Sequence, residues 1–182
     1  MGGTAGIWKF DGEPVERQLL EHMAETIKHR GPDGIGYWTR EAIGIINFQD
    51  WTTPESVNET QPLVAENGEL CLTLHGRVDN REDLLALLDL RSGVSELVTD
   101  AELILRAYQR WGEDCPQKIL GEFAFVVWDG RRQQLFCARD TDGWKPFYYY
   151  RDSSKFVWAS EFPPFFRADG VPKEPNERFV AD

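Results

Sequence analysis

Apolar residues recur along this chain with two periods, one strand-like and one helical. Thr4-Ala5-Gly6-Ile7-Trp8-Lys9-Phe10 is short, apolar and β-leaning, and Asp11-Gly12 closes it with a turn signal. From Val15 to Lys28, apolar Leu19, Leu20, Met23 and Ile27 fall at helical spacing among charged residues. That spacing predicts an amphipathic helix, which Gly31-Pro32 ends. Gly36-Tyr37-Trp38 and Ile43-Gly44-Ile45-Ile46 read as strands around the polar turn Thr39-Arg40-Glu41, and Trp51 to Pro62 reads as a polar loop. Leu70 to Leu74 predicts a strand, after which His75 to Asn80 turns into a helix from about Arg81 to Leu88. Asp100 to Trp111 predicts a further helix, opened by the cap-like Thr99-Asp100 and closed by Gly112.

Glu122 to Trp128 and Gln134 to Ala138 flank Asp129-Gly130-Arg131-Arg132, a strong hairpin signal. Phe147 to Tyr150 and Phe156 to Ala159 form a second strand pair around Asp152-Ser153-Ser154. Pro163, Pro164, Pro172 and Pro175 predict an extended tail from Phe162 onward. Strands cluster at both ends, with the two better helices adjacent between them. This order favours a mainly antiparallel α+β sandwich over a doubly wound sheet.

Composition narrows the class. The 182 residues suit one domain or a piece of something larger. Hydrophobic residues at 41% and aromatics at 13% exclude a disordered chain and allow a core without disulfide or metal staples. Lys plus Arg 20 against Asp plus Glu 31 gives a formal charge of −11, which argues against nucleic-acid and anionic-membrane partners. No apolar run suits a signal peptide or a membrane span. Gly2 after Met1 invites a myristoylation signal, but Gly6 stands where that pattern wants Ser or Thr. Cys71, Cys115 and Cys137 lack any paired spacing and read as buried thiols of a cytoplasmic protein.

Generic catalytic motifs are missing: no P-loop, no GxGxxG after a strand, no HExxH, no GxSxG and no paired Cys/His zinc ligands. His22, His29 and His75 are the only histidines, which leaves little room for a His-based triad, and Glu13, Glu16 and Glu21 read as a solvated helix face. His29-Arg30-Gly31-Pro32-Asp33 packs a helix end, a rigid turn and an Arg/Asp pair into one string, where Arg30 and Asp33 could pin the turn by a charge-assisted hydrogen bond.

Taken in order, the short strings resemble the class II (N-terminal nucleophile) glutamine amidotransferase domain of asparagine synthetases. The family's Met-Cys-Gly-Ile-x-Gly start is matched by Met1-Gly2-Gly3-Thr4-Ala5-Gly6, and its HRGPD by His29 to Asp33. Its Asn-Gly-Glu-Ile-Tyr-Asn turn aligns with His75-Gly76-Arg77-Val78-Asp79-Asn80, and its Ser-Asp-x-Glu helix start with Thr99-Asp100-Ala101-Glu102. Gly121-Glu122-Phe123-Ala124-Phe125, Arg139-Asp140, Gly143, Lys145-Pro146-Phe147-Tyr148 and Ala159-Ser160-Glu161 complete the series. The resemblance spans residues 2 to 166 and implies a four-layer αββα sandwich of two antiparallel sheets, with residues 167–182 beginning a linker toward a synthetase domain.

In that family the catalytic Cys follows the initiator Met and its own α-amino group is the general base. The Asn-Gly turn supplies the oxyanion hole, an Arg binds the glutamine α-carboxylate and an Asp its α-amino group. Here the nucleophile position is Gly2 and the oxyanion Asn is His75, although Gly76 remains. The Arg should fall near Asn47-Phe48-Gln49, yet no Arg occurs between Arg40 and Arg77; Asp100 is retained. The resemblance therefore implies a degenerate glutaminase with no catalytic residue of its own. His75, Gly76 and Asp100 would line a vestigial polar pocket unless Phe48 or Trp51 fills it, and Arg30 and Asp33 would be structural. An N-terminal Thr4 nucleophile would need further trimming, which would move the amine away from Gly76.

The family's synthetase domain activates a carboxylate with ATP and Mg²⁺ and joins an amine to it. Its Ser-Gly-Gly-x-Asp-Ser pyrophosphate loop is absent from this sequence, so no cofactor is expected in these residues. Loss of the amidotransferase Cys is similar to β-lactam synthetases and lasso-peptide cyclases, and Trp51 to Ser56, Gln61-Pro62-Leu63 and Arg77 to Arg81 resemble the lasso-cyclase-like branch. The expected partners are the same chain's synthetase domain and a peptide substrate. An asparagine synthetase homologue fed by free ammonia, and a purely structural or partner-binding module, are the alternatives.

Overall fold

Leu20, Met23 and Ala24 lie fully buried on one face of α1 (Arg17–Glu25), where they meet apolar residues of a five-stranded sheet. The computed structural model of the chain describes residues 2–65, 68–90 and 98–174. Among these, nine strands form two antiparallel sheets. The first has the order β2-β3-β1-β9-β8, built from β1 (Gly3–Lys9), β2 (Gly34–Arg40), β3 (Ile43–Gln49), β8 (Tyr148–Arg151) and β9 (Lys155–Ala159). The second has the order β4-β5-β6-β7, from β4 (Leu63–Val64), β5 (Leu70–Val78), β6 (Gly121–Asp129) and β7 (Gln134–Arg139). Helices α2 (Arg81–Leu87) and α3 (Asp100–Trp111) complete the set.

Side-chain alternation along the strands explains the layering. Ala5 and Ile7 of β1, Ile46 and Phe48 of β3, and Val157 and Ala159 of β9 turn outward to α1. On the second sheet, Leu70, Leu72, Leu74, Phe123, Phe125 and Val127 turn outward to Leu103, Ile104 and Ala107 of α3. The opposite faces meet each other: Ile43, Ile45, Cys71, Val126, Trp128 and Trp158 form one buried cluster between the sheets. The stack is therefore the expected αββα sandwich. Fully burying each large apolar side chain contributes about 1.5–3 kcal/mol, which makes the inter-sheet aromatics central to stability.

Gly6 seats the largest of them. A Cβ at Gly6 would lie 2.2 Å from Trp158 Cζ2 and 2.5 Å from the Gly44 carbonyl oxygen.

Several segments differ from the sequence expectation. The first helix is shorter, Arg17–Glu25, and a separate 3-10 turn, Lys28–Arg30, carries the His-Arg pair. His75 to Val78 does not turn: β5 continues through it, with Gly76 opposite Phe123 and Val78 opposite Gly121. Gly76 has φ +149°, and a Cβ there would sit 2.1 Å from the Glu122 carbonyl oxygen, so the glycine serves close strand approach. The tail from Phe162 does not begin extended: Pro163–Arg167 forms a 3-10 turn with proline at its start, where the missing N–H is no loss, and the end of the expected tail, residues 175–182 with Pro175, lies outside the described residues. The 51–62 loop contains a 3-10 turn, Glu55–Asn58, and the short β4 after it pairs with Leu72 and Cys71. Helix α3 runs as expected, its first turn capped by Thr99 Oγ1, which accepts from the Glu102 N–H at 3.2 Å. Packing against the α1 side reaches Ala168 and Val171. Among the described residues, no helix is long and apolar enough to cross a membrane.

Candidate functional site

The inward positions of the strands change character along the sandwich. Followed toward one end, they read Trp8, Gly6, Thr4 on β1; Ile43, Ile45, Asn47 on β3; Cys71, Thr73, His75 on β5; and Phe156, Trp158 on β9, with Ser160 just beyond. The apolar end carries an apolar groove lined by Trp8, Phe10, Leu135, Arg151 and Phe156. The polar end opens into a cleft of about 310 Å³ whose walls include Gly2, Asn47, Gln61, His75, Gly76 and Asp100.

Its floor is a buried amide network. Asn47 Nδ2 lies 3.0 Å from Thr73 Oγ1, 3.0 Å from the Leu74 carbonyl and 3.1 Å from Gln61 Oε1, which also accepts from the Leu74 N–H at 2.6 Å. Thr4 ties the β1 side to the rest: its N–H donates to Ser160 Oγ at 2.9 Å, and its Oγ1 accepts from the Trp158 indole N–H at 3.2 Å. Asn47, Thr4 and Thr73 are at most 1% exposed, so each hydrogen bond replaces one lost to water.

Gly2 stands at the mouth of β1 with φ +54°, and its carbonyl accepts from Arg30 Nη1 at 2.7 Å. A side chain there would be strained, and its Cβ would lie 3.1 Å from His75 Cδ2. The His75 imidazole, itself buried, thus occupies the space beside the nucleophile position.

Arg30 and Asp33 do not pin their own turn as the sequence suggested. Arg30 reaches across to Glu161, donating from Nε to Oε1 at 2.5 Å, and His29 Nε2 lies 3.0 Å from the same oxygen. Burial opposes ionisation of Glu161, but the Arg30 and His29 hydrogen bonds hold its carboxyl below the usual range. Asp33 Oδ2 instead accepts the Trp51 N–H at 2.8 Å, tying the turn to the loop that walls the cleft. The longer reach follows from geometry: the 3-10 turn carries Arg30 toward β1 while Asp33 faces the end of β3. Phe48 is buried in the α1-side core and Trp51 is 42% exposed, so both border the cleft without filling it.

Asp100 opens α3. Its Oδ2 accepts the Val78 N–H at 2.9 Å and its Oδ1 pairs with Arg81 Nη1. Nearby Glu59, which the sequence reading overlooked, has its carboxyl pushed up to about 7. Burial is the main cause and the Asp100 charge the next; hydrogen bonds from Gln61 and the Ala101 N–H oppose both. Two acidic groups therefore share one wall, and one of them holds its proton near neutral pH. Asn47 and Thr73 were overlooked too, although a period-two reading of Ile43, Ile45, Asn47 and of Cys71, Thr73, His75 places polar groups on an inward face. At the rim, Lys145 Nζ lies 3.3 Å from Glu122 Oε2.

None of the three thiols is activated. Burial pushes the Cys115 and Cys137 thiols up to about 12, and raises Cys71 as well. Among the described residues, no group of three or more His, Cys, Asp or Glu is placed to hold a metal ion.

Two sheets packed between helices, with β1 delivering the second residue to a polar cleft, define an N-terminal-nucleophile type of sandwich. The glutamine amidotransferase domain family model matches residues 1–182, and the chain belongs to that family. It is 33% identical over 164 residues to asparagine synthetase [glutamine-hydrolyzing] 3 of Bacillus subtilis, covering 88% of this chain and 26% of that protein. To the putative asparagine synthetase [glutamine-hydrolyzing] 2 of Methanocaldococcus jannaschii it is 28% identical, covering 97% of this chain and 37% of that protein. The chain thus spans well under half the length of these relatives. In fold it is similar to glutamine phosphoribosylpyrophosphate amidotransferase of B. subtilis, with a TM-score of 0.71, 19% identity, and coverage of 90% of this chain and 43% of that one.

Proposed function

We propose that these residues are a glutaminase-type domain that hydrolyses no glutamine and serves within a longer, asparagine-synthetase-like amide ligase. The observation that carries this reading is the coupled pair at the cleft bottom. Gly2 offers no nucleophile, and the His75 ring fills the space beside it. Loss of a nucleophile alone removes several orders of magnitude in rate. Here the chain also has His75 at the oxyanion position and no Arg in the sequence between Arg40 and Arg77, and Asp100 is already paired with Arg81.

Without glutamine as ammonia source, the ligase would take its amine elsewhere. Formation of an amide within one substrate, as in lasso-peptide macrolactam closure, fits best. The ATP and Mg²⁺ that activate the carboxylate would be held outside residues 1–182, since the pyrophosphate loop is not in this sequence. The cleft, still open and polar, would survive as a vestigial pocket lined by His75, Gly76 and Asp100.

The test is direct. The full-length protein incubated with glutamine is expected to release no glutamate, and treatment with a thiol-blocking reagent should change nothing. Sustained glutamate release abolished by N-terminal or thiol blocking would overturn the silent-domain reading. A coding sequence without a pyrophosphate loop downstream of Asp182 would remove the ligase.

A further inference from the structure

Away from the cleft, large aromatic side chains stand exposed along β8 and the turn after β9. Tyr149 is 67% exposed, Phe162 58%, Phe166 45% and Tyr148 40%, and the Tyr148 and Phe162 rings lie 4.3 Å apart. They line a groove of about 590 Å³ whose rim is Val171 to Glu174. β8 is also the last strand of its sheet. Contiguous apolar patches of this kind mark interaction surfaces, and aromatic side chains dominate binding energy within them.

Two further observations point to the occupant. The rim ends at Glu174, and the sequence continues beyond it, so a downstream portion of the polypeptide would be tethered beside the groove. The curated relatives are far longer than this chain, which covers only 26% of the first. We propose that this groove docks the downstream part of the same polypeptide, the portion following residue 182. This rests on the reading of the chain as part of a longer ligase. A tethered partner binds at high effective concentration, so a patch too small for a free complex suffices.

The groove also adjoins the cleft through one short segment. Lys145 lines the cleft and Phe147 lines the groove. The Asp140 carboxylate accepts the Trp144 N–H at 3.0 Å and the Phe123 N–H at 3.3 Å, fixing the loop between them. That loop presents Trp144 at 68% exposure. A partner seated in the groove is thereby placed close to the cleft mouth.

Hydroxyl-radical footprinting of the full-length protein tests the proposal, with each residue's rate normalised to its rate in the denatured chain. Tyr149 and Phe166 are expected to react several-fold more slowly than Trp51 and Leu120, which lie outside the groove. Tyr149→Asp combined with Phe166→Asp should release that protection at Tyr148 and Phe162 while leaving Trp51 unchanged. Equal normalised rates at Tyr149 and Leu120, or protection that survives the double variant, would overturn the docking. Protection that grows with protein concentration would overturn it too, by assigning the face to a second copy. A gene with no downstream region removes the ligase reading itself, whereas a downstream region that leaves Tyr149 reactive removes only the docking.

Discussion

The same strands build both ends of the inter-sheet layer, yet the two ends differ in what they turn inward. At one end β1, β3, β5 and β9 contribute Trp8, Ile43, Cys71 and Phe156; at the other, β1, β3 and β5 contribute Thr4, Asn47 and His75. The first end is held by the shape of its apolar side chains, Ile43 and Cys71 buried and Trp8 and Phe156 half-buried beside a groove. The second is held by directed hydrogen bonds and leaves a cleft. A sandwich of this kind places chemistry by substituting polar residues at the last inward positions of its strands, without altering register. The cost is that each buried polar group must find its partner.

The largest expected effect breaks the apolar packing of the layer, where Gly6 seats Trp158. Gly6→Ala puts a methyl group 2.2 Å from the Trp158 ring and 2.5 Å from the Gly44 backbone, and neither can retreat in a close-packed layer. The variant is expected to lose about 3 kcal/mol or more of stability, measured by urea denaturation. A loss under about 1 kcal/mol would mean that the two sheets are free to separate locally, and the contrast between the ends would fail.

Sequence made the apolar end more legible than the cleft. The β6–β7 hairpin and α3 follow from local signals, since a hairpin turn at 130–133 and the Thr99 cap need no distant partner. The His75–Val78 segment was misjudged because Gly76 reads as a turn, whereas its φ of +149° serves a close approach by β6 that only pairing reveals. Gly2 and His75 were legible as motif positions. Their contact was not, and neither was the Asn47 network, whose partners Gln61 and Thr73 lie 14 and 26 residues away. Arg30 and Asp33 were misassigned to each other for the same reason: Glu161 is 131 residues from Arg30.

The next effect breaks the polar end. Asn47→Leu keeps the volume but removes the donor shared by Thr73, Gln61 and the Leu74 carbonyl. Buried acceptors left without a partner cost about 1–3 kcal/mol, so the variant should unfold at lower urea with an unchanged slope. Asn47→Asp, which keeps the shape but lacks the N–H donors, should be at least as damaging near neutral pH. If the leucine variant were as stable as the parent, the floor would be held by packing, as the other end is.

The smallest effect sharpens the comparison, because only the polar end should respond to mild changes of pH. Glu59 ionises at about 7 in the folded chain against an ordinary 4.5. Below pH 4.5 both folded and unfolded chains keep the proton, and the group contributes nothing to the pH dependence. Between 4.5 and 7 the unfolded chain releases its proton while the folded chain retains it, so stability falls as pH rises, and the fall is complete above 7. Glu59→Gln removes that loss while keeping an acceptor for Gln61 and the Ala101 N–H. The variant should match the parent near pH 4 and exceed it at pH 8 by about 1–3 kcal/mol, at 1.4 kcal/mol for each pKa unit. Urea denaturation at the two values decides the matter: equal slopes with pH in both proteins would show that Glu59 is solvated, and that the wall it shares with Asp100 is not a desolvated one.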